Sequence, residues 1–191
     1  MIFLLLQLRF KHKKEFIMNT KQITPRFIFV VSIILVAVAM RLIPHLPNFT
    51  PIAAIALFGG TYISRKWLAF LIPISILLIS DSIIGFHSYL IAVYFSFAIA
   101  VAIGLLLRKN TNIWTVAGAS LASSVLFFII TNFAVWLGSP FYTQDISGLM
   151  ACFTMGIPFF NNGVLGDLFY NAIFFGGFYF AQVKFPILAK V

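Results

Sequence analysis

Apolar residues fill so much of this chain that only a membrane can be its main solvent. They make up 62% of the 191 residues, while charged residues make up 9%, and the mean hydropathy is +1.06. A water-soluble domain of this length could not bury so much apolar surface. We therefore expect an all-α integral membrane protein.

Six apolar segments are candidates for membrane-spanning helices, which need roughly 20 mostly apolar residues each. They cover residues 27–43, 51–63, 67–86, 89–107, 113–137 and 163–182. The second has roughly 13 residues, or about 20 Å of helix, so its length also allows a re-entrant hairpin. A further apolar stretch, 148–160, is too short to span, and we expect a half-helix or lid over the bundle there.

The positive charges predict how these segments are oriented. Lys and Arg concentrate on the cytoplasmic side of membrane proteins, and twelve of the thirteen lie on one side if the second segment crosses. If it does not cross, Arg65 and Lys66 fall outside. The prediction is therefore six spans in the inner (cytoplasmic) membrane, with both termini in the cytoplasm. The exception is Arg41, at the outer end of the first helix.

This topology divides the chain into three parts. Residues 1–26 form a basic cytoplasmic tail, residues 27–182 the six-helix membrane domain, and residues 183–191 a second cytoplasmic tail. Met18 begins a second natural start, which makes residues 1–17 a candidate start-site artefact. Ala37-Val38-Ala39 resembles a signal-peptidase site, although apolar character continues to Ile43 and favours a retained first helix.

Polar residues accumulate in the outer half of the predicted bundle, where the loops contain no Lys or Arg. Such groups are costly near hydrocarbon and tend to face a cavity or a partner. Their accumulation at one end predicts a substrate-binding site that is open to the outside. The residues are Arg41, His45, Asn48, Asp81, His87, Asn132, Trp136, Asp145, Asn161, Asn162 and Asp167.

Several of these residues also have plain structural interpretations. Arg41 either snorkels to the outer headgroups or pairs with Asp81 or Asp167 and orients a ligand anion. Asp167, Tyr170 and Asn171 share one face of the last helix, and we expect this stripe to face the bundle interior. The stripe serves a site or only interhelical hydrogen bonds.

Trp136 shares a helix face with Asn132 and is either an interfacial belt residue or a stacking platform. The loop that precedes the second segment is predicted to be a rigid outer cap, because Pro44 and Pro47 stiffen it. Thr50 is then the expected N-cap of the second helix, with Pro51 as its first residue. The alternative is a simple interhelical turn. The side chains that the cap would display are His45, Asn48 and Phe49.

Other classes of function find little support in the sequence. One cysteine, Cys152, excludes an intrachain disulfide and a cysteine-based metal site. His45 and His87 with Asp81 form too weak a pattern for a metal, and none is predicted. No P-loop or compact catalytic motif is present, so we predict no cofactor and no catalytic residue. Nucleic acid is not an expected partner, because the positive charge belongs to a face beside anionic membrane lipid.

Four motifs carry a resemblance to known proteins. They are Arg41-Leu-Ile-Pro-His-Leu-Pro-Asn-Phe-Thr-Pro-Ile with Leu57-Phe-Gly-Gly60; Ser80-Asp81-x-x-Ile-Gly-Phe-His87; Asn132-Phe-x-x-Trp136; and Pro158-Phe-Phe-Asn-Asn162 with Asp167. They resemble an uncharacterised bacterial membrane family that looks like the substrate-binding S components of energy-coupling factor (ECF) transporters. The likeness covers about residues 25–182.

This resemblance implies a six-helix subunit without enzymatic activity of its own. It would capture a vitamin-like or other micronutrient solute in an outward-facing pocket and dock onto a coupling transmembrane protein driven by ATPases. The substrate-binding residues that it implies are Arg41, His45, Asn48, Asp81, His87, Asn132, Trp136, Asn161, Asn162 and Asp167.

One departure from the S components concerns docking. They typically dock through small residues spaced four apart on the first helix, a spacing that this chain lacks there. The fourth helix has it, at Ala98/Ala102 and Ala100/Gly104. Either docking uses another surface, or the protein is not an ECF partner.

Three other functions stay open at this point. One is a partner-free facilitator of a small solute. Another is an intramembrane enzyme that uses Asp81, His87 and Asp167 as acid and base groups. The third is a structural subunit of a larger membrane complex, in which the polar residues only join helices.

Overall fold

The computed structural model describes residues 24–41, 46–86 and 88–189, apart from the side chain of Arg41. This part of the chain contains six α-helices, one short 3₁₀-helix and no strand. The helices are α1 (Pro25–Arg41), α2 (Ile52–Tyr62), α3 (Lys66–Ile84), α4 (Leu90–Leu107), α5 (Ile113–Gly138) and α6 (Ile146–Lys184), with the 3₁₀-helix at Pro186–Leu188. Predictions about residues 1–23, Pro44, His45, His87 and the Arg41 side chain lie outside the described residues.

Four of the helices, α3 to α6, are long and apolar enough to cross a membrane. Helices α1 and α2 are apolar but shorter, with 17 and 11 residues. Large apolar side chains cover the outside of the bundle; Ile91 is 85% exposed, Leu106 76% and Phe180 71%. Apolar surface on this scale belongs against lipid, so the all-helical chain has the character of a membrane protein.

Helix α2 is the centre of the bundle. It contacts all five other helices, and every residue from position 54 to 61 is buried. Its length of about 16 Å therefore does not have to match a lipid bilayer, because α2 is surrounded by protein. Its small residues allow close approach: a Cβ on Gly60 would lie 2.3 Å from the carbonyl oxygen of Val101 on α4.

The same contact decides the role of the small residues on α4. A Cβ on Gly104 would lie 2.3 Å from the Leu57 carbonyl oxygen, and Ala100 is buried. The Ala100/Gly104 pair thus packs inside the molecule and is not a docking surface. Ala102 is exposed and Ala98 half-buried, so only this second pair faces the outside.

The described basic residues, apart from Arg41, lie at one end of the bundle. The Arg26 guanidinium lies 5.5 Å from the ring centroid of Tyr62, which joins the start of α1 to the end of α2. Arg108, just after α4, donates to three carbonyl oxygens at the end of α2, those of Gly60, Ile63 and Ser64. We call this the basic end; its residues are Arg26, Arg65, Lys66, Arg108, Lys109 and Lys184.

The opposite end is formed by the three connections that precede α2, α4 and α6. At this end a Cβ on Gly138, the last residue of α5, would lie 3.0 Å from the ring of Tyr89, just before α4. The Asn162 amide of α6 donates to the Pro47 carbonyl at 3.2 Å. The helices therefore alternate in direction along the chain.

Helix α6 is one continuous helix of 39 residues, about 58 Å long, with Pro158 inside it. The predicted half-helix or lid at 148–160, separate from a last span that starts at residue 163, is therefore wrong. The reason is that α5, with 26 residues, is long enough to pack against both parts. The Phe128 ring of α5 contacts Phe153 and Phe160 of the first part at centroid distances of 5.4 and 4.8 Å. The Ser124 hydroxyl of α5 donates to Asp167 of the second part at 2.7 Å.

The start of α2 also differs from the prediction by one residue. The helix begins at Ile52, Pro51 occupies the N-cap position, and no side chain caps the helix. Thr50 is not the cap; instead it lines the cavity described below.

Candidate solute-binding site

A cavity of about 280 Å³ lies in the half of the bundle away from the basic end. It is bounded by α4, α5, α6, the first turn of α2 and residues that precede α2 and α4. This volume is close to the lower limit of the roughly 300–1,000 Å³ of small-molecule sites. Its aromatic lining residues are Tyr89, Phe97, Phe127, Phe128, Phe159 and Phe160, and its polar ones are Asn48, Thr50, Ser124, Thr131, Asn132 and Asp167.

Asp167 supplies the single carboxylate among the described residues that line the cavity. It lies on α6 and is 7% exposed. Its side-chain oxygen accepts a hydrogen bond of 2.7 Å from the Ser124 hydroxyl of α5. The Ser124 oxygen also lies 3.0 Å from the Ser120 carbonyl oxygen. The carboxylate is thus held at a fixed position by a neutral partner.

A second polar layer lies one helical turn further towards the basic end. The Asn171 amide donates to the Ser120 hydroxyl at 3.0 Å, again between α6 and α5. Asn171 is 2% exposed, and its Oδ1 atom has no hydrogen-bond partner in the described part of the chain. With Tyr170 and Asp167 also buried, the prediction that this stripe faces the interior is confirmed.

The 46–50 turn, which covers residues 46–50 before α2, forms one side of the cavity. Asn48 lines it with a φ of 61°, the one positive φ at a non-glycine residue of the described chain. The ring of Phe49 contacts the rings of Phe169 and Tyr170, each at 5.7 Å between centroids. These contacts hold the turn against α6.

Two glycines of α6 let the turn approach this closely. A Cβ on Gly166 would lie 3.1 Å from the Phe49 Cα, and one on Gly163 would lie 3.8 Å from the Asn48 carbonyl oxygen. Both glycines lie on the face of α6 that also carries Asp167. The glycines of α6 therefore permit close packing against the turn, in addition to the packing against α5.

Three of the ten predicted substrate-binding residues line this cavity: Asn48, Asn132 and Asp167. Asn162 holds the 46–50 turn through Pro47, whereas Asn161 is exposed and does not line the cavity. His45, His87 and the Arg41 side chain lie outside the part that the structure describes. Their roles in binding stay predictions.

Two further predicted residues do not line the cavity and instead join elements of the bundle. Asp81 is buried and accepts a hydrogen bond of 2.8 Å from the Tyr94 hydroxyl, between α3 and α4. The Trp136 indole donates to the Thr143 carbonyl at 2.9 Å, and Gln144 donates to the Trp136 carbonyl at 2.7 Å. Trp136 thus fixes the connection between α5 and α6.

The aromatic wall and Gly156 are the parts that the sequence analysis did not single out. A Cβ on Gly156 would lie 2.4 Å from the Asn132 Oδ1 atom and 2.9 Å from the Phe128 ring. One signal was available: Phe128, Thr131, Asn132 and Val135 recur at the i, i+3, i+4 and i+7 positions of one helix face. The 24 Phe residues of the chain hide that pattern.

A metal centre is not visible in residues 24–41, 46–86 and 88–189, where no three His, Cys, Asp or Glu side chains could hold one ion. The two described carboxylates of the enzyme hypothesis do not line one cavity either. Asp167 lines the cavity and Asp81 does not. The arrangement is suited to holding a small molecule.

Comparison with known protein families identifies a matching family. A protein-family model described as "Family of unknown function (DUF6580)" covers residues 21–188. No curated protein matches the chain, and no solved structure does.

Proposed function

We propose that this chain, which belongs to the family of unknown function DUF6580, is the solute-binding membrane subunit of an ECF-type importer. It spans the cytoplasmic membrane six times with both termini inside and captures a vitamin-like or other micronutrient solute from outside. The observation that carries this proposal is the cavity at the end opposite the basic end, with a buried carboxylate in an aromatic lining.

The sidedness of the charges supports capture from outside. Six described Lys and Arg residues lie at the basic end, which the positive-inside rule assigns to the cytoplasm. The cavity is lined by Asn48 and Tyr89, which belong to the connections at the other end. A solute would therefore enter from the external face.

The 46–50 turn supports a binding cycle. Its contacts with α6 are two ring contacts, one hydrogen bond from Asn162 and the close packing of Phe49 and Asn48 on Gly166 and Gly163. The turn can open at these contacts without disturbing the central helix. Opening of the turn admits the solute, and closure buries it. Transfer across the membrane then depends on a coupling transmembrane protein and its ATPases, because this chain has no nucleotide-binding motif.

The test is recovery of a bound solute. Wild-type protein purified in mild detergent is expected to retain one small molecule per chain, detected by native mass spectrometry. Gly156→Leu should lose it, because the side chain enters the space next to Asn132 and Phe128. Gly118→Leu is the control, since a Cβ there meets nothing within 4 Å.

Two results would contradict the proposal. Equal recovery from Gly156→Leu and Gly118→Leu would show that the molecule is not bound in the cavity, and recovery from none of the proteins would remove solute capture. The partners are tested separately by affinity purification from native membranes. Absence of both a coupling protein and ATPases would exclude the ECF assembly and leave a partner-free facilitator.

A further inference from the structure

We infer that the solute is a molecule of one or two rings that carries a protonated nitrogen, and that this nitrogen binds Asp167. The inference rests on the proposed function and adds the chemical class of the solute. Three features of the cavity support it: the hydrogen-bond acceptors on α5, the charge of Asp167, and the volume and aromatic lining of the cavity.

The polar residues on the α5 side of the cavity present acceptors. The Thr131 hydroxyl donates to the Phe127 carbonyl at 2.7 Å, and the Asn132 amide donates to the Phe128 carbonyl at 2.8 Å. The Thr131 hydroxyl hydrogen and one of the two Asn132 N–H groups are thus engaged by the backbone of their own helix. The Asn132 Oδ1 atom lies beside Gly156, so it and the Thr131 oxygen are available to hydrogen-bond donors on a solute.

The charge of Asp167 also favours a solute that carries a positive charge and hydrogen-bond donors. Asp167 is buried, and its one hydrogen-bond partner in the described chain is the neutral Ser124 hydroxyl. A buried carboxylate either takes up a proton or needs a cation or several donors to compensate its charge. No Lys or Arg is among the described residues that line the cavity. A protonated nitrogen on the solute supplies both the charge and the N–H donors.

An anionic solute is disfavoured by Asp167. Its carboxylate or phosphate would stand beside Asp167 in a site of low dielectric constant, where like charges repel strongly. A neutral alcohol fits better, because it can donate one hydrogen bond, but it leaves the charge of Asp167 uncompensated. The order of preference is therefore amine, then alcohol, then carboxylate.

The volume of the cavity limits the size of the solute, and its aromatic lining favours a solute with rings. A cavity of about 280 Å³ has the room of about nine water molecules at roughly 30 Å³ each. Six aromatic side chains line it, and the contact of Phe128 with Phe160 at 4.8 Å fixes part of this lining. Flat rings stack on such a wall, and a cation near it gains a further attraction from the ring faces.

The experiment uses three probes that share one ring system and differ in one group. Tryptamine carries a protonated amine, indole-3-ethanol a hydroxyl and indole-3-acetate a carboxylate. Binding to the full-length protein in lipid nanodiscs is measured by calorimetry at pH 7. We expect tryptamine to bind about tenfold or more tighter than indole-3-ethanol, the value of one hydrogen bond to a charged group, and indole-3-acetate to bind weakest.

Two variants test whether Asp167 causes the preference for the amine. Asp167→Asn should reduce the preference for the amine over the alcohol to about threefold or less. Asp145→Asn makes the same chemical change outside the cavity and should keep the preference of the wild type. If Asp167→Asn does not fold, the order of the three probes on the wild type still decides.

The inference is overturned if the amine and the alcohol bind the wild type equally, if the carboxylate binds best, or if none of the probes binds. It is also overturned if folded Asp167→Asn keeps the preference of the wild type. None of these results removes the proposed function, which is judged by the solute retained in the wild type and lost in Gly156→Leu. An anionic or neutral retained solute would keep the function and reject its chemical class.

Discussion

Gly60 and Gly104 determine how closely the backbones of α2 and α4 approach each other. A Cβ on Gly60 would meet the Val101 carbonyl oxygen at 2.3 Å, a backbone atom that cannot rotate away. Overpacking a core costs roughly 1–3 kcal/mol, so we expect Gly60→Ala to lower the free energy of unfolding by about 3 kcal/mol. Denaturant titration of the detergent-solubilised protein measures this loss.

Gly118→Ala is the matched control, because Gly118 lies in α5 and a Cβ there meets nothing within 4 Å. Alanine is favoured over glycine in a helix by up to about 1 kcal/mol, so this variant should be as stable as the wild type or more stable. Equal losses at Gly60 and Gly118 would contradict the close contact between α2 and α4.

The Asp145 carboxylate links local stability to pH. It caps α6 by accepting hydrogen bonds from the Gly148 backbone N–H at 2.8 Å and from the Thr143 and Ser147 hydroxyls. The Gly148 N–H, followed by the two hydroxyls, lowers the pKa of Asp145 below its ordinary value of 3.8. A lowered pKa in the folded state stabilises the protein above the unfolded pKa, and this stabilisation is lost as pH falls through the folded pKa.

We therefore expect Asp145→Ala to lower the Tm at neutral pH. The difference from the wild type should shrink as the pH falls below 3.8, towards the lower pKa of the folded protein. Asp145→Asn keeps an acceptor at the cap and should remain close to the wild type at neutral pH. A Tm difference for Asp145→Ala that is the same at all pH values would contradict a role for the charged carboxylate.

Among the helices and turns, the 46–50 turn and α6 form the contact that can open the cavity. A Cβ on Gly163 would lie 4.0 Å from the Asn48 Cβ, within the range of about 3.5–4.5 Å for residues joined by a disulfide. We expect Asn48→Cys/Gly163→Cys, in a Cys152→Ser background, to form a disulfide under mild oxidation. Mass spectrometry with and without reductant measures the loss of two free thiols.

The cross-link also tests the turn as the path of the solute. A bound solute should exchange more slowly in the oxidised protein than in the reduced protein, because the turn cannot leave α6. Asn48→Cys/Gly176→Cys is the control, since a Cβ on Gly176 meets nothing within 4 Å and no disulfide is expected. Equal exchange in the oxidised and reduced forms would show that the solute enters elsewhere.

The helices show which features of the fold hydropathy predicts and which it does not. Hydropathy located all six helices, because each carries a continuous apolar segment. It missed the continuity of α6, because the apolar stretch 148–160 is too short to span by itself; Gly156, Pro158 and Gly163 also have low helix propensity. In the structure both glycines are contact points, with Asn132 and with Asn48, and tertiary packing outweighs the propensity. Such contacts between distant residues leave no mark on local composition.

The candidate site was predictable only in part, for a related reason. Asn48, Asn132 and Asp167 are rare polar residues in an apolar chain, and this contrast identified them. The phenylalanines of the wall have no such contrast, since lipid-facing and cavity-facing Phe look the same in sequence. Asp81 was equally conspicuous but joins α3 to α4 through Tyr94. Polarity thus predicts which residues face inward without predicting which of them share one cavity.

At the scale of the whole molecule, the described Lys and Arg residues apart from Arg41 lie at the end away from the cavity. Helix directions alternate, so the connections between helices fall at two ends. The Arg108 guanidinium joins two of the connections at the basic end by binding the carbonyls of Gly60, Ile63 and Ser64. The sequence predicted this separation from the positions of Lys and Arg. It did not predict that the shortest helix is central, because burial by other helices and burial in lipid require the same apolar residues.

Orientation in the membrane is the prediction that follows at this scale. Ser64 lies between α2 and α3 at the basic end, and Ser88 lies between α3 and α4 at the other; both are exposed. In a Cys152→Ser background, a membrane-impermeant maleimide should label Ser88→Cys in intact spheroplasts and Ser64→Cys only after permeabilisation. The positive-inside rule gives this order, and each variant is the control for the other. Labelling of Ser64→Cys in intact spheroplasts, with Ser88→Cys protected, would turn the cavity towards the cytoplasm, and capture of a solute from outside would then be excluded.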